Sequence, residues 1–306
     1  KTLQFSFFWH MHQPDYRGSD GVMSMPWVFL HAIKDYYEMP WLLTKFTSIK
    51  ATFNLTATLM EQLELYRDPL KYDYFLSLWE QHPSGLDFES RQWLIKLCKS
   101  SQYETMVRPI PQYEYLYGKN EYSDNELIDL EILFILSWCG NYLRSENAVV
   151  KRMLQQGSGF NQNDKHRLLD SLCAFIETII PFYALLQQEG RISVSTTPYY
   201  HPILPLLVDM ENAAIANPHT TLPKRPLSLH LDAQKHIERS MRLYEKHFKK
   251  KPNGFWPAEG AVDTKTLSLY RENGIKWIAT DEAILFHSLG SDERNNLYKT
   301  YRFNEV

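Results

Sequence analysis

Polar and apolar positions along this chain alternate between two regimes. Leu3-Gln4-Phe5-Ser6-Phe7-Phe8-Trp9 begins with period-two alternation and turns fully apolar, the pattern of a buried first strand. A polar segment with Pro14 and Gly18 ends it. A second short strand is expected at residues 50–55. Residues 57–190 are mostly helical in spacing, with helices expected at 126–138 and 166–186 and a Gly/Ser/Asn/Gln-rich loop at 155–164. Strand patterns return at 191–196, 254–257 and 275–280. Helices are expected between them at 232–249, whose last turn holds several bases, and at 264–272, closed by Asn273-Gly274.

The repeating unit is strand, polar loop, helix, which signals a parallel α/β architecture. In such folds the residues just past the strand C-termini form the working face. Four strand ends carry reactive side chains: His10 with His12, His201, Glu259, and Asp281 with Glu282. One such placement could arise by chance; four point to a site. About five strands are too few for a closed eight-stranded barrel. An open, incomplete barrel is therefore expected, or a polypeptide that continues beyond Val306.

Composition narrows the function classes. The 306 residues suffice for a large core without a disulfide or metal staple. A net charge of −3 argues against a polyanion binder driven by counterion release, so no nucleic-acid partner is expected. No window approaches 18 uninterrupted apolar residues, so no membrane span is expected either. Residues 1–9 lack the long apolar stretch and small-residue cleavage site of a secretory signal. Cys98, Cys139 and Cys173 form no paired spacing, suggesting neither a zinc site nor a disulfide framework. A cytoplasmic location is the resulting expectation. Aromatic residues make up 14% of the chain; their faces suit a sugar ring, although a bulky core is the plainer account.

Glu259 is the strongest candidate for chemistry. It lies in Gly254-Phe255-Trp256-Pro257-Ala258-Glu259-Gly260, where Pro and Gly restrict the backbone around a carboxylate. A strand-end Glu packed near Trp256 can act as nucleophile or general acid, according to its desolvation. The alternative is a Glu that complements the dipole of the following helix. Asp281 ends the next strand, and a carboxylate there could approach Glu259 at the roughly 5–5.5 Å of a retaining glycosidase pair. A helix cap or a hydrogen-bond partner for substrate hydroxyls accounts for it equally well. His10 and His12 share a face if the strand continues, which suits a metal or sugar hydroxyls. Only His201 and Asp281 could extend a metal set, neither at a ligand spacing, so no metal and no cofactor are assigned. The chain has no GxGxxG, Walker-type, GxSxG or HExxH motif, leaving nucleotide and serine-hydrolase chemistry unsupported.

These segments together resemble glycoside hydrolase family 57. Trp9-His10-Met11-His12-Gln13-Pro14 resembles its HQP-bearing first motif, and residues 195–206 (Ser195-Thr196-Thr197-Pro198-Tyr199-Tyr200-His201-Pro202 onward) its second, in the α-amylase/amylopullulanase branch. Residues 254–260 resemble the third, whose Glu is the catalytic nucleophile, and Trp277-Ile278-Ala279-Thr280-Asp281-Glu282 also has the look of that branch. The resemblance implies an incomplete (β/α)7 barrel over residues 1–306 with a helical insertion at about 57–190. It further implies an α-glucan or maltooligosaccharide substrate, a retaining mechanism without cofactor, and Glu259 as nucleophile. His10, His12, Gln13, Trp138, Tyr200, His201, Trp256, Asp281 and Glu282 are then the expected substrate-binding residues. The family's acid/base Asp belongs to a later DGEN-type motif absent from residues 1–306, so it is expected after Val306. Two other readings stay open: a metal-dependent hydrolase built on His10 and His12, and a glucan-binding barrel without the acid/base.

Overall fold

Strands form where β-branched and aromatic residues cluster between polar loops. The computed structural model describes residues 5–225, 227–303 and 306. Among these, the strands are β1 (Phe8–Met11), β2 (Ala51–Leu55), β3 (Ile192–Ser195), β4 (Gly254–Phe255) and β5 (Trp277–Ile278). Every pairing is parallel: β1 with β2, β2 with β3, and β4 with β5. A parallel bridge from Thr196 to Phe255 carries β3 onto β4, with Trp256 N–H donating to the Thr196 carbonyl at 2.9 Å. The strands thus lie side by side in chain order, with many helices between them. This is the parallel α/β class that the sequence implied.

All five strands belong to one compact unit, residues 1–14, 48–61 and 183–306. Its helix His230–Phe248 buries Ala233, Ile237 and Met241, and Thr264–Glu272 buries Leu269 and Tyr270, in one cluster with Phe255 of β4 and Ile275. Gly254 has no alternative at its position, because a Cβ there would overlap the Trp277 ring on β5.

β1 departs from the buried strand expected at residues 3–9. It starts at Phe8 and includes His10, while Phe5 and Phe7 before it are exposed and Trp9 within it is 46% exposed. Leu3 and Gln4 lie outside the described residues. The reason is position: β1 ends the order β1-β2-β3, so among the described residues only one flank is paired.

Residues 15–47 and 62–182 form the second unit, which is helical. Ser123 and Glu126 make a capping box that opens Asp124–Trp138, and every residue from Leu127 to Ser137 is buried. The single helix expected at 166–186 is two, Gln162–Ile176 and Ile179–Gln188. Pro181 accounts for the break, since its ring clashes with the carbonyl four residues back, at Glu177. The expected loop at 155–164 shrinks because Asn161 caps the next helix in a second capping box. By length and mean hydropathy, 1.6, the stretch Gln162–Gln188 reaches the size of a membrane span, although the sequence suggested none. Its Leu168, Leu172 and Ile176 are buried within the protein. The three cysteines are free and buried.

Candidate active site

The register of the first three strands places His10 opposite Asn54 and Asn54 opposite Ser195. This row is hydrogen-bonded through its side chains. Asn54 Nδ2 donates to Ser195 Oγ at 3.0 Å, which turns its Oδ1 toward Thr197 Oγ1 at 2.9 Å and His10 Nδ1 at 2.7 Å. Asn54, Ser195 and Thr197 are fully buried, so each polar atom needs its partner. The network assigns the proton of His10 to Nδ1 and leaves Nε2 as the bare nitrogen.

His12 follows β1 on the same face, as period two requires: its ring stacks on His10 at 5.5 Å with 6° between planes. His201 completes the group, 4.1 Å from the His12 ring and 5.7 Å from His10. It reaches there through two successive left-handed residues, Tyr200 (φ 58°) and His201 (φ 54°), each costing about 1–2 kcal/mol in a non-glycine residue. The loop is held by Tyr199, whose hydroxyl donates to Glu61, whose ring lies under Arg239 at 4.0 Å, and whose carbonyl accepts from His236 Nδ1 at 2.5 Å.

Glu259 stands in a 3₁₀ turn, Ala258–Gly260, and is itself left-handed at φ 55°, with Gly260 at φ 67°. Its carboxylate lies 3.9 Å from His201 Nδ1. The side chain is 71% exposed, so Trp256 does not bury it as the sequence suggested. Trp256 packs instead on Phe8 at 4.6 Å and on His10 at 4.9 Å. The exposed Glu259 carboxylate is accessible to a group bound in the cleft beside it. His10, His201, Trp256, Glu259, Gly260, Thr280 and Asp281 line one cleft of about 250 Å³. A larger cleft of this unit, about 590 Å³, is mostly apolar and lacks the histidines, so the chemistry rather than the size locates the site.

Burial pushes the pKa of all three imidazoles down. For His10 the Asn54 hydrogen bond and the Glu259 charge partly oppose this; for His201 the charge of His10 adds to it and Glu259 opposes. His12 falls furthest, to about 4, through burial and the charges of His201 and His10. Its folded value lies below the unfolded one, so the unfolded chain takes up the proton first on acidification. Stability is then lost as pH falls from about 6.5 through about 4. Thermal melts across that window should show Tm declining with acidity, and His12→Gln should flatten the decline. An unchanged slope in the variant would assign the acid lability elsewhere.

The other expected site residues are scattered. Asp281 lines the cleft, but its Oδ1 accepts from Ile284 N–H at 2.8 Å and so caps the helix Glu282–Leu289. Glu282 lines the apolar cleft, 3.8 Å from Arg294. Tyr200 sits edge-on to Tyr199 with Arg239 over its ring. Gln13 is half-buried, its carbonyl accepting from Thr58 Oγ1 at 2.8 Å. Trp138 belongs to the helical unit, where it meets His31 and Trp27 and lines a cleft with Glu38 and Arg144. Sequence reasoning missed Asn54, Ser195 and Thr197. A signal existed: Asn is depleted in strands, and Asn54 interrupts the otherwise apolar end of β2.

The family model described as glycosyl hydrolase family 57 matches residues 6–306. Among solved structures, the chain is similar to an α-amylase of Thermotoga maritima at 18% identity and TM-score 0.46, covering 90% of this chain and 39% of that one. It is also similar to a branching enzyme of Thermococcus kodakaraensis (20% identity, TM-score 0.44, 89% of this chain and 38% of that one). A third, a branching enzyme of Pyrococcus horikoshii, has 17% identity and TM-score 0.44, with 89% and 41% covered. The chain therefore spans about two fifths of the length of these proteins. No curated protein matches it.

Proposed function

Because the chain belongs to glycosyl hydrolase family 57, we propose that it carries the nucleophile side of a retaining hydrolase or transglycosylase for α-linked glucans. The observation that carries this reading is the single cleft shared by Glu259, His10, His201, Trp256 and Asp281. The five strands are read as consecutive staves of an incomplete (β/α)7 barrel, with residues 62–182 inserted in the sequence between β2 and β3.

On this reading Glu259 attacks the anomeric carbon and forms a glycosyl ester, displacing the aglycone oxygen. An Asp of a later motif protonates that oxygen, then deprotonates the incoming water or sugar hydroxyl. Asp281 is not given that role: its Oδ1 caps the helix Glu282–Leu289 through Ile284 N–H, and among the described residues only Oδ2 faces no such bond. It orients substrate hydroxyls instead. His10 Nε2 accepts from one hydroxyl, and His201 lies beside the nucleophile, its Nδ1 3.9 Å from the Glu259 carboxylate. Trp256 offers an apolar wall to the ring. No cofactor is assigned. Hydrolysis and transfer share the ester and differ in how well water is excluded from it.

The test uses α-maltosyl fluoride, whose leaving group needs little acid assistance. Proton NMR of the first-formed sugar should show the α-anomer, the result of two displacements. A β-anomer formed first would mean direct attack by water and would overturn the retaining reading.

A further inference from the structure

The three histidines are more than a row of hydroxyl partners. Each offers one ring nitrogen, and these nitrogens lie within 4.8 Å of one another. His12 Nδ1 and His201 Nε2 are buried and have no hydrogen-bond partner among the described residues. Buried polar nitrogens are normally paired, so two such orphans in one cluster ask for a ligand. His10 differs in a telling way. Its Nδ1 is tied to Asn54, which Ser195 and Thr197 hold in place, so its Nε2 is both bare and fixed in direction. A ligating histidine is commonly oriented by a hydrogen bond of that kind at its other nitrogen.

We propose that His10, His12 and His201 form a binding site for a divalent transition-metal ion of the zinc class, and that its occupancy excludes sugar from the cleft. This use of the cluster is inhibitory and rests on the glycosidase reading above. Neutral imidazole donors favour zinc, copper or nickel over calcium and magnesium, which take oxygen ligands. Tetrahedral bonds of about 2.0–2.1 Å would bring the nitrogens to about 3.3 Å apart, so the rings must close by up to about 1.5 Å through side-chain rotation. Three protein ligands leave the fourth position to water, as in open zinc sites. Glu259, 3.9 Å from His201, and Asp281 supply negative charge nearby. A sugar hydroxyl and the metal would compete for the same His10 Nε2 in the same cleft, so the two cannot bind together.

Isothermal titration calorimetry of the 306-residue chain with zinc chloride, and separately with magnesium chloride, tests the site. One equivalent of zinc and no magnesium should bind. His12→Ala should weaken zinc binding by at least about 100-fold, and Asn54→Ala, which removes the orienting partner of His10 together with the bonds to Ser195 and Thr197 but no ligand, by about 10–100-fold. His201→Asn provides a second ligand deletion whose side chain tolerates the left-handed backbone, should the others fail to fold. Maltotriose should raise the apparent zinc dissociation constant in proportion to its concentration without reaching a plateau, about sixfold at five times its own dissociation constant, and zinc should act on maltotriose in the same way. Zinc binding that persists undiminished in His12→Ala and His201→Asn would overturn the proposal, as would maltotriose binding without any zinc binding. Simultaneous, independent binding of both would overturn the exclusion. Zinc bound at the histidines with no maltotriose binding at all would uphold the metal site and sink the glucan reading instead.

Discussion

Glu259→Gly should fold, gain stability and lose turnover of α-maltosyl fluoride by on the order of 10⁴-fold or more, the scale at which removing a covalent nucleophile registers. Two features make the stability gain expected. Glu259 is held at φ 55°, and a glycine there removes a strain of about 1–2 kcal/mol. Its side chain is 71% exposed, so little packing is lost with it. Part of the gain is offset by the greater freedom of glycine in the unfolded chain. Glu259→Gln keeps the strain and the shape of the side chain, so it should lose turnover without the rise in Tm, and it should still bind maltotriose. Added azide distinguishes the roles of carboxylates. In Glu259→Gly it enters the vacated space and should restore turnover with β-maltosyl azide as product, because it attacks from the nucleophile's side. An α-azide product would place Glu259 on the acid/base side and remove the mechanism proposed here. Asp281→Asn should show mainly weaker substrate affinity with a smaller loss in the chemical step.

The sequence made the later strands legible because each apolar run there is short and bounded by turn residues. Thr264–Glu272 matches its expected bounds, and Gly274 beyond it adopts φ 80°. The start of the chain was less legible. An aromatic run reads alike whether both faces are covered or, as at Phe7 and Trp9, one is open to solvent. The site was readable as a set of strand ends but not as an arrangement. That His201 joins His10 and His12 depends on the register of β1, β2 and β3 and on two left-handed residues in a Pro-flanked loop. Left-handed backbone is foreseen at Gly, and less often at Asn, Asp or His, and nothing local marks Tyr200 or Glu259 for it. Asn54 was passed over because its meaning lies in partners 44 and 141 residues away. A single polar residue in a strand carries no sign of what it holds.

The helical unit should respond most strongly to Lys165→Met. Lys165 and Glu131 are fully buried and form an ion pair at 2.7 Å. The Lys165 ammonium also donates to the Gln81 carbonyl at 2.9 Å and lies over the Trp79 ring, whose Nε1 donates to the Glu131 backbone carbonyl. Burial already raises the pKa of the Glu131 carboxyl, and the Lys165 charge is what opposes that rise. Removing Lys165 leaves a buried carboxyl uncompensated, at a cost of about 3–5 kcal/mol, or a fall in Tm on the order of 10 °C. Pairing it with Glu131→Leu should recover most of that loss, because two apolar side chains need no partners. The sign of the pH dependence follows from the same carboxyl. With its folded pKa above the unfolded one, the folded state holds the proton that the unfolded state releases, so stability falls as pH rises between the two values. The deficit of Lys165→Met relative to the parent chain should therefore be larger at pH 8 than at pH 5. Melts of both chains at the two pH values decide it. A deficit that is the same at both, or that the second substitution fails to repair, would mean that lost packing of the lysine stem, rather than the stranded carboxyl, sets the cost.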